Sequence, residues 1–90
     1  MIPRDQVPNV SADVIHRRMP DGTLLILKSG EFFRVDGLAV ELFTAVDGKK
    51  TAGTICSKVA EKHGVEPELF FGQAEPVFAS MKKLGVLSFD

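Results

Sequence analysis

The stretch Phe32-Phe33-Arg34-Val35-Asp36-Gly37-Leu38-Ala39-Val40-Glu41-Leu42-Phe43-Thr44-Ala45-Val46-Asp47 changes its apolar period midway. Glu31 to Val35 is aromatic and β-branched, the content of a strand. From Asp36 onward, Ala39, Leu42, Phe43 and Val46 fall at i, i+3, i+4 and i+7, one apolar stripe of a helix. The spacing predicts a strand running straight into a short helix. Asp36 is its expected N-cap, with Val35 packing on Val40 as a hydrophobic staple. Asp47-Gly48 ends the helix, Gly48 being able to take the left-handed conformation of a C-cap.

Upstream, Thr23-Leu24-Leu25-Ile26-Leu27-Lys28 holds four consecutive apolar residues, which predicts a central strand covered on both faces. Ser29-Gly30 turns it into Glu31–Val35, and Met19-Pro20-Asp21-Gly22 joins it to a strand at Val14 to Arg18. Glu31–Val35 is thereby left at a sheet edge. Downstream, Thr51 caps a second helix whose stripe is Ala52, Ile55, Cys56, Val59 and Ala60, closing at His63-Gly64. A third helix opens at Pro67 and runs to Leu84-Gly85. Pro76 inside it predicts a kink, or two short helices meeting near Gly72. Val86 to Phe89 reads as a last extended segment. Residues 1–12 carry Pro3 and Pro8 among polar residues and no period, so a flexible N-terminal arm is expected there, with residues 13–90 as the folded domain. The inventory is α+β: a three-stranded antiparallel sheet followed by three helices, the arrangement of a winged helix-turn-helix domain.

Ninety residues with 44% hydrophobic content suit one core. Seven Phe without Trp or Tyr favour a dry interior. The net charge of -1 leaves no cationic excess for a phosphate backbone or an anionic membrane, which argues against nucleic acid and membrane as partners. No apolar run is long enough to cross a bilayer, and Met1 to Asp5 lack the apolar core of a signal peptide, so a cytoplasmic location is expected. The single Cys56 fits a buried apolar helix position. His16 and His63 have no nucleophile near them in sequence, and there is no Gly-rich phosphate loop, ligand cluster or carboxylate pair. Neither enzymatic activity nor a cofactor or metal is expected.

Arg34 to Gly48 followed by Thr51-Ala52-Gly53-Thr54-Ile55 resembles the PqqD family (coenzyme PQQ synthesis protein D). That family's pattern closes a strand on an apolar residue and Asn, places Ala on the first helix, turns at Asp-Gly, and opens the second helix with Thr-x-x-Glu-Ile. Leu84-Gly85-Val86-Leu87 is similar to the Gly-Leu-Leu ending of its last helix. Here Asp36 stands for the Asn and Thr54 for the Glu, which removes one reciprocal cap. Pro76 is also foreign to the pattern. The resemblance covers about Val14 to Leu87.

The resemblance implies a non-catalytic peptide chaperone, a recognition element for ribosomally made, modified peptides. Such a domain binds the leader of a precursor peptide and presents it to a modifying enzyme, often a radical SAM protein, in PQQ biosynthesis or for another product. It further implies that the leader adds as a strand beside Glu31, Phe32, Phe33, Arg34 and Val35, in a groove whose other wall is the third helix. The free edge of that strand suits strand addition on its own account. By spacing, Phe70, Ala74, Val77, Met81 and Leu84 form the core stripe of the third helix, and Phe71, Glu75, Phe78 and Lys82 form the stripe beside it, which is either the candidate groove wall or, through its two Phe, a widening of the core contact. The same architecture also fits a winged-helix DNA binder, although Glu68 and Glu75 cancel Lys82 and Lys83 on the third helix. A structural module that dimerises through the exposed edge strand is the remaining reading.

Overall fold

Two tight turns set the sheet. The computed structural model describes residues 2–90, with β1 (Pro8–Val10), β2 (Ile15–Arg18), β3 (Leu24–Lys28), β4 (Glu31–Val35), α1 (Leu38–Ala45), α2 (Ala52–His63), α3 (Pro67–Lys83) and β5 (Leu87–Phe89). Between β2 and β3, the Gly22 N–H donates to the Met19 carbonyl at 3.0 Å, while Asp21 Oδ1 accepts from the Thr23 N–H and hydroxyl at 3.0 and 2.7 Å. Between β3 and β4, Ser29 and Gly30 both adopt positive φ, the two-residue turn whose twist matches an antiparallel hairpin. The sheet order is β2-β3-β4, antiparallel throughout. Ile15, Leu27 and Phe32 form one cross-strand row and Arg17, Leu25 and Arg34 a second on the same face; His16, Ile26, Phe33 and Arg18, Leu24, Val35 alternate onto the other.

That second face is the core face: Leu24 and Ile26 are each 1% exposed. β3 is central, as its sequence implies, but it is covered on one side only. Leu25 and Leu27 are half-buried, and their row neighbours Ile15 and Phe32 are each 67% exposed. With one helical layer over the inner face, a chain this short has no second layer for the outer one.

α1 starts one residue later than its cap signal suggests. Asp36 makes no cap; Gly37 is the N-cap at φ 55, ψ -129, and its carbonyl accepts from the Val40 N–H at 3.1 Å. Only glycine takes that backbone conformation without strain, so Gly37 outcompetes Asp36 and the proposed staple loses its frame. Asp47 lies beyond the helix end and organises the α1–α2 turn, accepting from the Lys49 and Lys50 N–H groups and from Lys50 Nζ. α2 follows expectation: Thr51 Oγ1 accepts from the Thr54 N–H at 3.1 Å, Ala52, Ile55, Cys56, Val59 and Ala60 are buried, and left-handed Gly64 closes it. α3 is one helix of 17 residues through Pro76. Pro76 and Gly72 both lie on its exposed side, where water can solvate the carbonyl that proline leaves without a donor.

The largest departure is at the N-terminus. In place of a flexible arm, β1 pairs antiparallel with β5, Pro8 opposite Phe89 and Val10 opposite Leu87, and Val7 and Asp90 exchange backbone hydrogen bonds of 2.9 and 3.0 Å. Ahead of β1, the Gln6 and Arg4 carbonyls accept from the Ala52 and Gly53 N–H groups at the start of α2, and Ile2 is 3% exposed. Met1 lies outside the described residues. The proline that reads as a breaker is tolerated because Pro8 is the first residue of an edge strand, where its missing N–H costs no ladder bond. Among the described residues no helix is long and apolar enough to cross a membrane.

Two outcomes follow from these contacts. Ile2→Ala should lower the urea-unfolding free energy by about 2 kcal/mol, the cost of truncating a buried isoleucine; an unchanged midpoint would mean that the segment frays. The Asp47 carboxyl is held below the usual carboxylate range, chiefly by the Lys50 ammonium and then by the two backbone N–H groups. A depressed folded-state value favours the fold above the unfolded-chain value of about 4, and the contribution is lost as pH falls through the folded-state value. Asp47→Ala should therefore be less stable than the parent near neutrality, and the gap in urea midpoints should shrink as the pH is lowered below about 3.

Candidate functional site

The sheet ends in two edges of different character. β2 is exposed at all four positions, Ile15-His16-Arg17-Arg18, and two consecutive arginines guard it against pairing. His16 lies edge-on to Phe43 with ring centroids 5.0 Å apart. β4 presents no such guard on its inner side. Phe33 and Val35 continue the buried rows of Ile26 and Leu24 but are only half-buried, because the sheet stops there. An open backbone edge thus runs beside unfinished apolar rows, the combination that a further strand completes.

The stripe of α3 expected to face that edge is closed. Phe78 is 0% exposed and packs edge-on against Phe89, centroids 5.6 Å apart. Phe71 lies under the Arg4 guanidinium, 4.3 Å from its ring centroid. Glu75 accepts from the Ile2 N–H at 3.1 Å, and Arg4 forms a bidentate pair with Glu68, each bond 2.6 Å. Phe71, Glu75 and Phe78 are therefore not a groove wall: the terminal segments already occupy that side of the helix. Lys82 alone of that stripe is exposed. The two residues of the expected core stripe that are not buried, Val77 and Leu84, lie on the other flank, Val77 half-buried and Leu84 47% exposed. The hairpin reaches this end of the helix, since a Cβ on Gly85 would stand 2.6 Å from Lys28 Cε. Lys28 itself is anchored to Asp13 at 2.7 Å. The exchange of stripes could have been found in the sequence only by treating Ile2 and the alternation of Leu87 and Phe89 as core-forming.

The remaining concavities offer little chemistry. A hollow at the start of α2 is bounded by Arg4, Thr51, Thr54 and Lys58, but the N–H groups of Ala52, Gly53 and Thr54 are already bonded to Gln6, Arg4 and Thr51. A second, between Arg18, Glu41 and Lys62, mixes charges, and Glu41 is engaged by His63 Nε2 at 2.7 Å. Burial pushes the Cys56 thiol up to about 11, so it stays protonated at neutral pH. Among the described residues no three His, Cys, Asp or Glu side chains are grouped to hold a metal ion.

The two flanks of α3 separate by mutation. Phe78→Ala should cost about 3–5 kcal/mol and leave little folded protein, whereas Leu84→Ser should stay within about 1 kcal/mol of the parent. Chemical denaturation of both variants checks the assignment, and comparable losses would contradict it.

The model of the PqqD family, coenzyme PQQ synthesis protein D, matches residues 22–87, from the β2–β3 turn to the first residue of β5. No curated protein matches the chain. Among solved structures, it is similar to the PqqD truncation of PqqCD from Methylobacterium extorquens, described as a functional and stand-alone recognition element of the ribosomally synthesized and post-translationally modified kind. The TM-score is 0.82 at 21% identity over 98% of this chain and 95% of that one, a likeness of fold. The family match spans most of the chain, including the β3–β4 hairpin and all three helices, and the protein belongs to the PqqD family.

Proposed function

We propose that the protein is a non-catalytic recognition element that binds the leader of a ribosomally made precursor peptide as a strand added to β4 and presents it to a separate modifying enzyme of radical SAM type. The observation that carries the reading is the asymmetry of the sheet. On the core face, the β2 edge carries the exposed His16 and Arg18, whereas the β4 edge carries the half-buried Phe33 and Val35 beside a single exposed charge, Glu31. Membership of the PqqD family and the fold shared with a known recognition element support the same reading. The proposed site comprises Glu31, Phe32, Phe33, Arg34 and Val35, with Val77 and Leu84 as the helical wall in place of Phe71 and Phe78.

Backbone hydrogen bonds would supply register-independent affinity, and the apolar ledge would accept every second side chain of the guest. Pairing of two copies through β4 would use the same edge, so dimer and peptide would exclude one another. DNA binding finds no specific support, because Glu68 and Glu75 sit in the first half of α3, where a recognition helix meets base edges.

The test is titration with a precursor peptide encoded beside this gene, followed by amide chemical shifts. Perturbations should centre on Glu31–Val35 and on Val77 to Leu84. Val77→Ser combined with Leu84→Ser should weaken binding about tenfold without changing the β4 shifts of the free protein. Perturbations confined to α2 or to β2 would refute the assignment.

A further inference from the structure

The rows of the sheet define what an added strand would meet. We infer that the preferred guest at β4 is an antiparallel segment in the order apolar, acidic, apolar, apolar, basic, set beside Val35, Arg34, Phe33, Phe32 and Glu31 in turn. The inference rests on the proposed strand addition and adds to it the chemistry of the peptide.

Every row that crosses β2 and β3 stops at β4, and a guest strand extends each by one place about 4.8 Å further on. On the outer face, Phe32 ends the row of Ile15 and Leu27 and borders a hollow of about 180 Å³ lined also by Leu25. An apolar guest side chain covers the exposed ring. Arg34 ends the next row. Its Nη2 donates to Asp21 at 2.6 Å, but the remaining donors of the guanidinium are not used there, and Arg17 stands two strands away in the same row. Asp21 engages only one end of the Arg34 guanidinium, and a guest Asp or Glu gives its remaining N–H groups a charged acceptor.

On the inner face, Phe33 and Val35 adjoin Ile26 and Leu24, each 1% exposed, so the guest positions beside them are apolar. Glu31 is exposed, and its cross-strand neighbour Lys28 has turned its ammonium to Asp13 at 2.7 Å. A cation in the guest pairs with Glu31 from its open side. The order follows from direction: every strand pair in the molecule is antiparallel, and that pairing is the more stable per residue.

The experiment uses three labelled synthetic peptides with Gly-Ser flanks, carrying Val-Glu-Leu-Phe-Lys, its charge exchange Val-Lys-Leu-Phe-Glu, and the reversed order Lys-Phe-Leu-Glu-Val. Anisotropy titration should rank the first about fivefold or more above the second, as expected for two cross-strand charge pairs turned from attractive to repulsive. Arg34→Glu combined with Glu31→Lys should invert that ranking, with amide shifts at Glu31–Val35 locating the complex. Equal affinity for the first two peptides at β4 would overturn the charge pairing and leave strand addition standing. Tighter binding of the reversed peptide would overturn the antiparallel order. If none of the three binds at millimolar concentration, or all perturb residues away from β4, both the pairing and the strand addition fall.

Discussion

The packing of Phe78 against Phe89 decides which parts of this molecule are closed and which stay open. A fully buried ring in the middle of α3 requires a partner wall, and the chain supplies it from its own end by folding β5 back along the helix. β5 in turn pairs with β1, and β1 brings the N-terminal segment over Phe71, Glu75 and Glu68. One flank of α3 is thus sealed by both termini. On the opposite flank Val77 is half-buried and Leu84 is 47% exposed, and Leu84 lies at the end of the helix that Lys28 of the β3–β4 hairpin reaches.

The sheet shows a matching division. A one-sided layer of helices buries Leu24 and Ile26 and leaves the outer rows to solvent, and within the inner face burial fades from β3 to β4. The β2 edge carries two consecutive exposed arginines. Its arginines would have to be desolvated against any incoming strand, whereas at β4 the same event removes apolar surface of Phe33 and Val35 from water. On the inner face the two edges thus differ in what an added strand would cover, His16 and Arg18 at β2 against Phe33 and Val35 at β4.

Much of this was legible in the sequence. The alternation in Glu31–Val35, the stripe of α2, the Thr51 cap and the glycines that close α2 and α3 all appear where local pattern places them, because each is decided within a turn or two of chain. What the pattern missed was decided at a distance. Asp36 is a sound N-cap by type, but Gly37 could take a backbone angle no other residue takes easily, and the helix began there. Phe71 and Phe78 read as a second stripe because the segments that bury them lie more than 60 residues earlier and at the chain's end. A helical wheel assigns residues to stripes; which stripe is covered depends on segments it does not include. The open strand edge was therefore readable, and the burial of Phe71 and Phe78 was not.

For the proposed strand addition, the cost of association depends on how little β4 must change. β4 is fixed at one end by the Ser29-Gly30 turn, with Lys28 held between Asp13 and the end of α3, and at the other by Gly37, which passes the strand into α1 without an intervening loop. Phe33 and Val35 already rest against the core, so less of the host's ordering remains for a guest strand to supply. The ordering cost of association then falls on the peptide, at roughly 1–2 kcal/mol per residue fixed. A guest of five or six residues can recover that through backbone bonds and alternate apolar contacts only if its pattern matches the rows. A rigid edge is for that reason also a selective one, since it cannot rearrange to accommodate a mismatched strand.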